Sequence, residues 1–186
     1  MVVTRRRVAF VALAFALLAA WPAPACAHDI PRDVTVQMFV RPEGRILHVL
    51  ARVPLRGITD VEYPRRERDY VDLAHVDTAL RDAATVWFLD ALDLYEDDRP
   101  LARPHIVSTR MSLESDPSFA TYAEALAHVT GPTLPDSTTI FWEQGLVDVL
   151  ADYPIDSDQA RFSIHARLER LALTVVTALR FSPPNG

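Results

Sequence analysis

The sequence contains no lysine, a single cysteine and five glycines among 186 residues. Each shortage removes a class of chemistry. Nucleoside-phosphate loops need glycines for close backbone approach, and Gly44, Gly57, Gly131, Gly145 and Gly186 stand in neither a G-x-G nor a G-K-[ST] context. No serine is flanked by glycines in the G-x-S-x-G pattern of a hydrolase elbow, and no acidic cluster carries the central glycine and distal glutamate of an EF-hand. With Lys absent, all positive charge is Arg, and 19 basic residues face 25 acidic ones for a net charge of −6. Such a balance excludes nucleic acid as a partner, because phosphate neutralisation supplies most of that affinity. It disfavours anionic membrane surfaces for the same reason.

The lone cysteine, Cys26, lies in a segment unlike the rest. Arg5, Arg6 and Arg7 form a basic start, Val8 to Ala20 is an unbroken apolar run, and Ala25-Cys26-Ala27 has the small-x-small form of a signal-peptidase site. The run is shorter than the roughly 18 to 20 residues a spanning helix needs, and Pro22 and Pro24 break any continuation. Residues 1–27 therefore read as a secretory signal peptide, and the arginines fit either a general or a twin-arginine export route. A lipidated Cys26 is the rival reading, but Ala23-Pro24-Ala25-Cys26 lacks the aliphatic residue three before the cysteine. Cleavage after Ala27 leaves a single exported domain, 28–186, with no cysteine and a net charge of −9, since three arginines leave and no carboxylate does. Disulfides, a thiol nucleophile and Cys-ligated metal centres go with it.

Within this domain the hydropathy has period two. Val34, Val36, Met38 and Val40 alternate with polar positions, Pro42-Glu43-Gly44 makes a turn, and Leu47, Val49, Ala51 and Val53 resume the alternation up to Pro54. That pattern predicts a β-hairpin with one buried face. Tyr70–Leu73 suits a short strand. Thr78–Leu89 reads as a helix capped by Asp77 or Thr78, and 92–95 with 105–111 as a second hairpin about Asp97–Pro100. Asp116-Pro117 opens an amphipathic helix over 118–129, stopped by Gly131-Pro132. Strand candidates follow at 138–142, 146–150, 161–168 and 171–181. The sum is a mainly β, antiparallel, β-sandwich-like fold with two helical insertions; an α+β sheet with helices on one face is the alternative.

The histidines are dispersed: His28, His48, His75, His105, His128 and His165 include no H-x-x-x-H pair. His48 and His165 fall on polar strand faces, and His128 near a helix C-terminus, where it suits the macrodipole. His75-Val76-Asp77 reads as a helix approach. Asp90, Asp93, Glu96, Asp97 and Asp98, and more weakly Asp152, Asp156 and Asp158, read as solvated acidic turns. No catalytic, cofactor-binding or metal-ligating set is assigned. His28 stands apart, because cleavage after Ala27 would leave its α-amine and imidazole on one residue, a pair that chelates nickel or copper. The plainer reading is that any residue can follow such a site.

Ala27-His28-Asp29-Ile30-Pro31, VTVQMFVRPEG (34–44), LRDAATVWF (80–88), SFATYAEALAHVTGP (118–132), WEQGLVDVLADYPI (142–155) and RFSIHARLERLALTVVTALRF (161–181) together resemble the exported N-terminal region of bacterial HupE/UreJ-type membrane proteins. The resemblance runs over essentially all of 28–186 in the same order and carries no catalytic signature. It implies a non-enzymatic periplasmic accessory domain that works with a membrane-embedded, permease-like region linked by analogy to nickel transport. It also implies that relatives continue beyond Phe181 into membrane helices, which are missing here. A free periplasmic metal-binding protein using His28 is the alternative. Calorimetry on the processed protein separates the two: a Cu(II) or Ni(II) binding heat lost in His28→Ala is the outcome expected of the free carrier, and equal heats exclude it.

Overall fold

A computed structural model describes residues 31–67 and 69–183. Residues 1–27, read above as a signal peptide, with Cys26 among them, and His28 lie outside these residues. Among the described residues ten strands and two α-helices follow one another: β1 Asp33–Glu43, β2 Ile46–Pro54, β3 Arg65–Arg66, β4 Tyr70–Val71, α1 Asp77–Ala83, β5 Leu92–Glu96, β6 Arg99–Pro100, β7 His105–Leu113, α2 Tyr122–Thr130, β8 Gly145–Pro154, β9 Phe162–Ala166 and β10 Thr174–Phe181. The main sheet has the order β10-β1-β2-β8-β7; β6-β5-β9 and β3-β4 form two smaller ones. The fold is mainly β with helical insertions, as expected, although the main sheet is mixed because β10 runs parallel to β1.

The first hairpin forms where its alternation predicts. Val40 pairs with Val49 and Met38 with Ala51, so Val34, Val36, Met38, Leu47, Val49 and Val53 share one buried face. The reversal falls one residue later than Pro42-Glu43-Gly44 suggests, with Pro42 and Glu43 still in β1. Gly44 takes φ +62°, where a side chain would be strained. On this face lies the principal core, with Trp87, Phe88, Leu80 and Leu171 packed against the strands. The opposite face carries a smaller core of Phe39, Leu50 and Leu150 under Phe119, Tyr122, Ala125 and Val129 of the α2 region. A sheet apolar on both faces needs a cover on each, and the two helical segments supply them.

Four expectations need correction. The segment after Asp77 is not one helix: α1 ends at Ala83 and continues as a π-helical turn over Ala84–Phe88, and neither Asp77 nor Thr78 caps it, the cap position being Val76 without a side-chain bond. Residues 92–95 and 105–111 do not pair with each other. β5 takes β9 and the two-residue β6, while β7 crosses to β8, with Pro100 and Pro104 preventing a continuous return strand. The second helix starts later than Asp116-Pro117: Phe119 is non-helical, and Thr121 caps α2 by accepting from the Glu124 amide while Thr121 Oγ1 donates to the Glu124 carboxylate. Thr121-x-x-Glu124 is a legible capping box that outcompetes the proline signal. Residues 138–142 form no strand; Phe141 makes one isolated bridge to Tyr70.

Candidate functional site

Period two on β2 and β8 places Leu50 and Leu150 on the α2 face, and the same parity puts Arg52 and Asp148 there. The ladder sets Arg52 directly opposite Asp148, which on its other side faces Arg110 of β7. α2 and its lead-in loop then close over them. Asp148 has no exposed surface, and Arg52 and Arg110 are each 5 % exposed.

Charges so far from water are costly unless paired and hydrogen-bonded; Asp148 and Arg52 meet that condition, whereas Arg110 is held by carbonyls alone and its Nε finds no partner among the described residues. Arg52 meets the Asp148 carboxylate in a fork, Nε to Oδ1 and Nη2 to Oδ2, both at 2.7 Å. Its Nη1 donates to the Asp116 carbonyl at 2.7 Å, and Nη2 also reaches Asp116 Oδ1 and Ser118 Oγ at 3.0 Å. The guanidinium lies 4.3 Å from the Phe119 ring centre. Arg110 turns away and donates to the Gly131 and Pro132 carbonyls just past the end of α2, where a cation complements the helix dipole. Three strands and both ends of the α2 segment therefore meet around one carboxylate.

His128 and Ser112 complete the cluster. Ser112 Oγ donates to Asp148 Oδ2 at 2.6 Å and lies 2.7 Å from His128 Nε2, which is itself 3.1 Å from Asp148 Oδ2. His128 Nδ1 stands 3.7 Å from Asp116 Oδ2. A serine, an imidazole and two carboxylates in contact invite comparison with a hydrolytic triad, but the polarity is reversed. In a triad the hydroxyl donates to the imidazole and a carboxylate holds the other ring nitrogen. Here the carboxylate touches the same nitrogen as the hydroxyl and takes the hydroxyl proton, so the Nε2 proton points at Ser112 and Asp148. Asp116 is too far from Nδ1 for a hydrogen bond. Ser112, 1 % exposed, is also closed to a substrate.

Burial pushes the Asp116 carboxyl up, but the Ser118 hydroxyl and amide, Arg52 and His128 together pull it down to about 2. For Arg52, burial opposes the charge while Asp148 and Asp116 hold it above its ordinary value.

The other sequence candidates are scattered. His48 Nδ1 lies 2.7 Å from Asp152 Oδ1 on the α2 face, His75 bonds Asp72 at 2.8 Å, and His165 is exposed beside Asp93. His128 was legible only as a helix-end residue; its turn into the sheet depends on the docking of α2. Of the acidic residues read as solvated turns, Asp90, Asp97, Asp98 and Asp156 are exposed, whereas Asp152 is half-buried in β8 against His48 and Glu96 is buried. Glu96 is 3 % exposed and accepts from the Asp156 and Ser157 amides, which tie the 154–158 turn to β5. Among the described residues no group of three or more His, Cys, Asp or Glu side chains comes together to hold a metal ion. A surface concavity of about 680 Å³ is an open groove beside α1, edged by Asp60, Glu62, Asp82 and His75, with Arg170 stacked 4.1 Å over Trp87. Among the described residues no helix is long and apolar enough to cross a membrane. Compared with protein-family models and with curated proteins, the chain matches none.

Two outcomes follow for the cluster. Asp148→Asn leaves Arg52 buried without its counter-charge and is expected to cost about 3–5 kcal/mol in urea unfolding, whereas Arg52→Met with Asp148→Leu, which removes both charges, costs much less. Asp116 has a folded pKa below its unfolded value, so its stabilisation is present above the unfolded value near 3.8 and is lost as pH falls towards about 2. Acid titration of stability is accordingly expected to be flatter in Asp116→Asn over that window.

Proposed function

We propose that this chain is an exported, non-enzymatic accessory domain that binds rather than transforms, of the kind the HupE/UreJ resemblance implies. The observation that carries the reading is where its reactive side chains are spent. A grouping of chemistry-capable residues, Ser112, Asp148 and Arg52 buried and His128 and Asp116 half-buried, lies between α2 and the sheet and is consumed in fixing one to the other. The concavity beside α1 is an open, carboxylate-rimmed groove, a shape for contact. Export is supported by the basic start, the apolar run and Ala25-Cys26-Ala27. On this reading the domain acts outside the cytoplasm beside a membrane-embedded, permease-like region or partner. Its relation to nickel or copper rests on the resemblance and on His28.

Two measurements test the proposal together. Recovery of the protein in the osmotic-shock or membrane-associated fraction, with an intact mass starting at His28, is expected. Hydrolysis of a panel of chromogenic esters that disappears in Ser112→Ala would replace the binding reading with an enzymatic one; no difference between the two proteins is expected.

A further inference from the structure

The two edges of the main sheet are treated differently. At β7 the ladder is broken by a bulge between Ile106 and Ser108, α1 packs alongside, and Arg81 Nη1 reaches the Ile106 carbonyl at 3.4 Å. Bulges and covering side chains are the usual means of keeping an edge from pairing with another strand. β10, at the far edge, has none of them among the described residues. Its eight residues, Thr-Val-Val-Thr-Ala-Leu-Arg-Phe, include no proline and one charge, and no bulge interrupts their pairing with β1. That charge is turned inward: Arg180 Nη1 donates to the Phe119 and Ala120 carbonyls at 3.1 and 3.2 Å, and the guanidinium lies 5.3 Å from the Phe39 ring. Meanwhile Leu173 is 74 % exposed, Val176 and Phe181 53 % and Leu179 43 %.

The ladder also fixes which backbone groups are free. Thr174 donates to Arg32 and Ser182 to Val40, so in the alternating pattern of a parallel pair the even-numbered residues of β10 bond to β1, while Leu173, just before the strand, already donates its N–H to Pro31. Val175, Thr177 and Leu179 direct their N–H and C=O groups outward.

We propose that this edge pairs with β10 of a second copy of the chain, antiparallel, about a two-fold axis at Thr177. Only registers that oppose outward residues with outward residues satisfy both backbones, and an axis normal to the sheet keeps the faces of the two copies matched. In the register centred on Thr177, Val175 meets the partner's Leu179, Leu173 meets the partner's Phe181, and Thr177 meets the partner's Thr177. Leu173, Leu179 and Phe181 thus each meet an apolar partner, while Val176 faces the partner's Ala178 on the other face. Arg180 comes opposite the partner's Thr174, and no like charges oppose across the seam. An eight-residue edge buries less than the roughly 1,600 Å² of a standard interface, so the dimer is weak and concentration-dependent. It is independent of the accessory-domain reading, since a self-pairing edge serves an enzyme or a carrier equally.

Sedimentation equilibrium over a concentration series tests it, with Thr177→Lys and Thr177→Glu as variants. Thr177 is exposed, so neither substitution disturbs the core, and each sets like charges against each other at the axis. A reversible wild-type dimer is expected, weakened about tenfold or more in either variant and restored in their equimolar mixture. Hydrogen exchange on the wild type gives a variant-free reading: the Val175, Thr177 and Leu179 amides slow as protein concentration rises. A protein monomeric up to millimolar concentration, a dimer indifferent to both substitutions, a mixture no tighter than the separate variants, or concentration-independent exchange at those amides would overturn the proposal.

Discussion

A carboxylate with no exposed surface and a guanidinium almost as deeply buried face each other across β2 and β8, and what lies on that side of the sheet depends on their being satisfied together. The Asp148–Arg52 fork cannot be left half made, because a single buried charge costs far more than the pair. Completing it requires the Asp116 carbonyl and carboxylate and the Ser118 hydroxyl, which come from the segment leading into α2. Ser112 and His128 fill what remains around Asp148. The helix is thus located by polar valences, and the small core of Phe39, Leu50, Leu150, Phe119, Tyr122 and Val129 closes around it. Apolar packing alone is non-directional and would tolerate sliding; a forked, two-ended polar contact does not.

The other face works by bulk. Its core is continuous from Val34 to Leu171 and takes the irregular α1 segment, whose π turn seats Trp87 and Phe88 against the strands. Local regularity yields there to the fit of two large aromatic rings. The groove outside α1 follows from the same packing, since Arg170 lies over the covered Trp87 while the acidic rim remains in water. One sheet therefore supports a specific polar anchor on one side and a large apolar core on the other. That arrangement suits a rigid module that presents surfaces, and it underlies the accessory-domain proposal.

Much of the fold was legible from spacing. Alternation along 34–53 and 162–168 gave the strands and their inward faces, because period two has one structural solution when one side is wet. The misreadings share a cause. β7 was assigned to its nearest neighbour in sequence, whereas strand partners are chosen by long-range burial. The start of α2 was assigned to Pro117, although Thr121 and Glu124 offered reciprocal bonds that a proline cannot make. Arg52, Ser112, Asp116 and Asp148 drew no attention as a group, since 96 positions separate the first from the last. The one available signal was the charged pair set within strands otherwise dense in valine and leucine.

By itself the sequence determined the β-rich class, the first hairpin with its buried face, the absence of phosphate loops and the export-type start, all of which follow from composition and short periodicity. Only the tertiary structure decided which strands pair, that β10 lies parallel to β1 at an open edge, and that His128 turns inward to Ser112 and Asp148. These are properties of residues far apart in the chain, and nothing local distinguishes an arginine that will be solvated from one that will be buried against an aspartate.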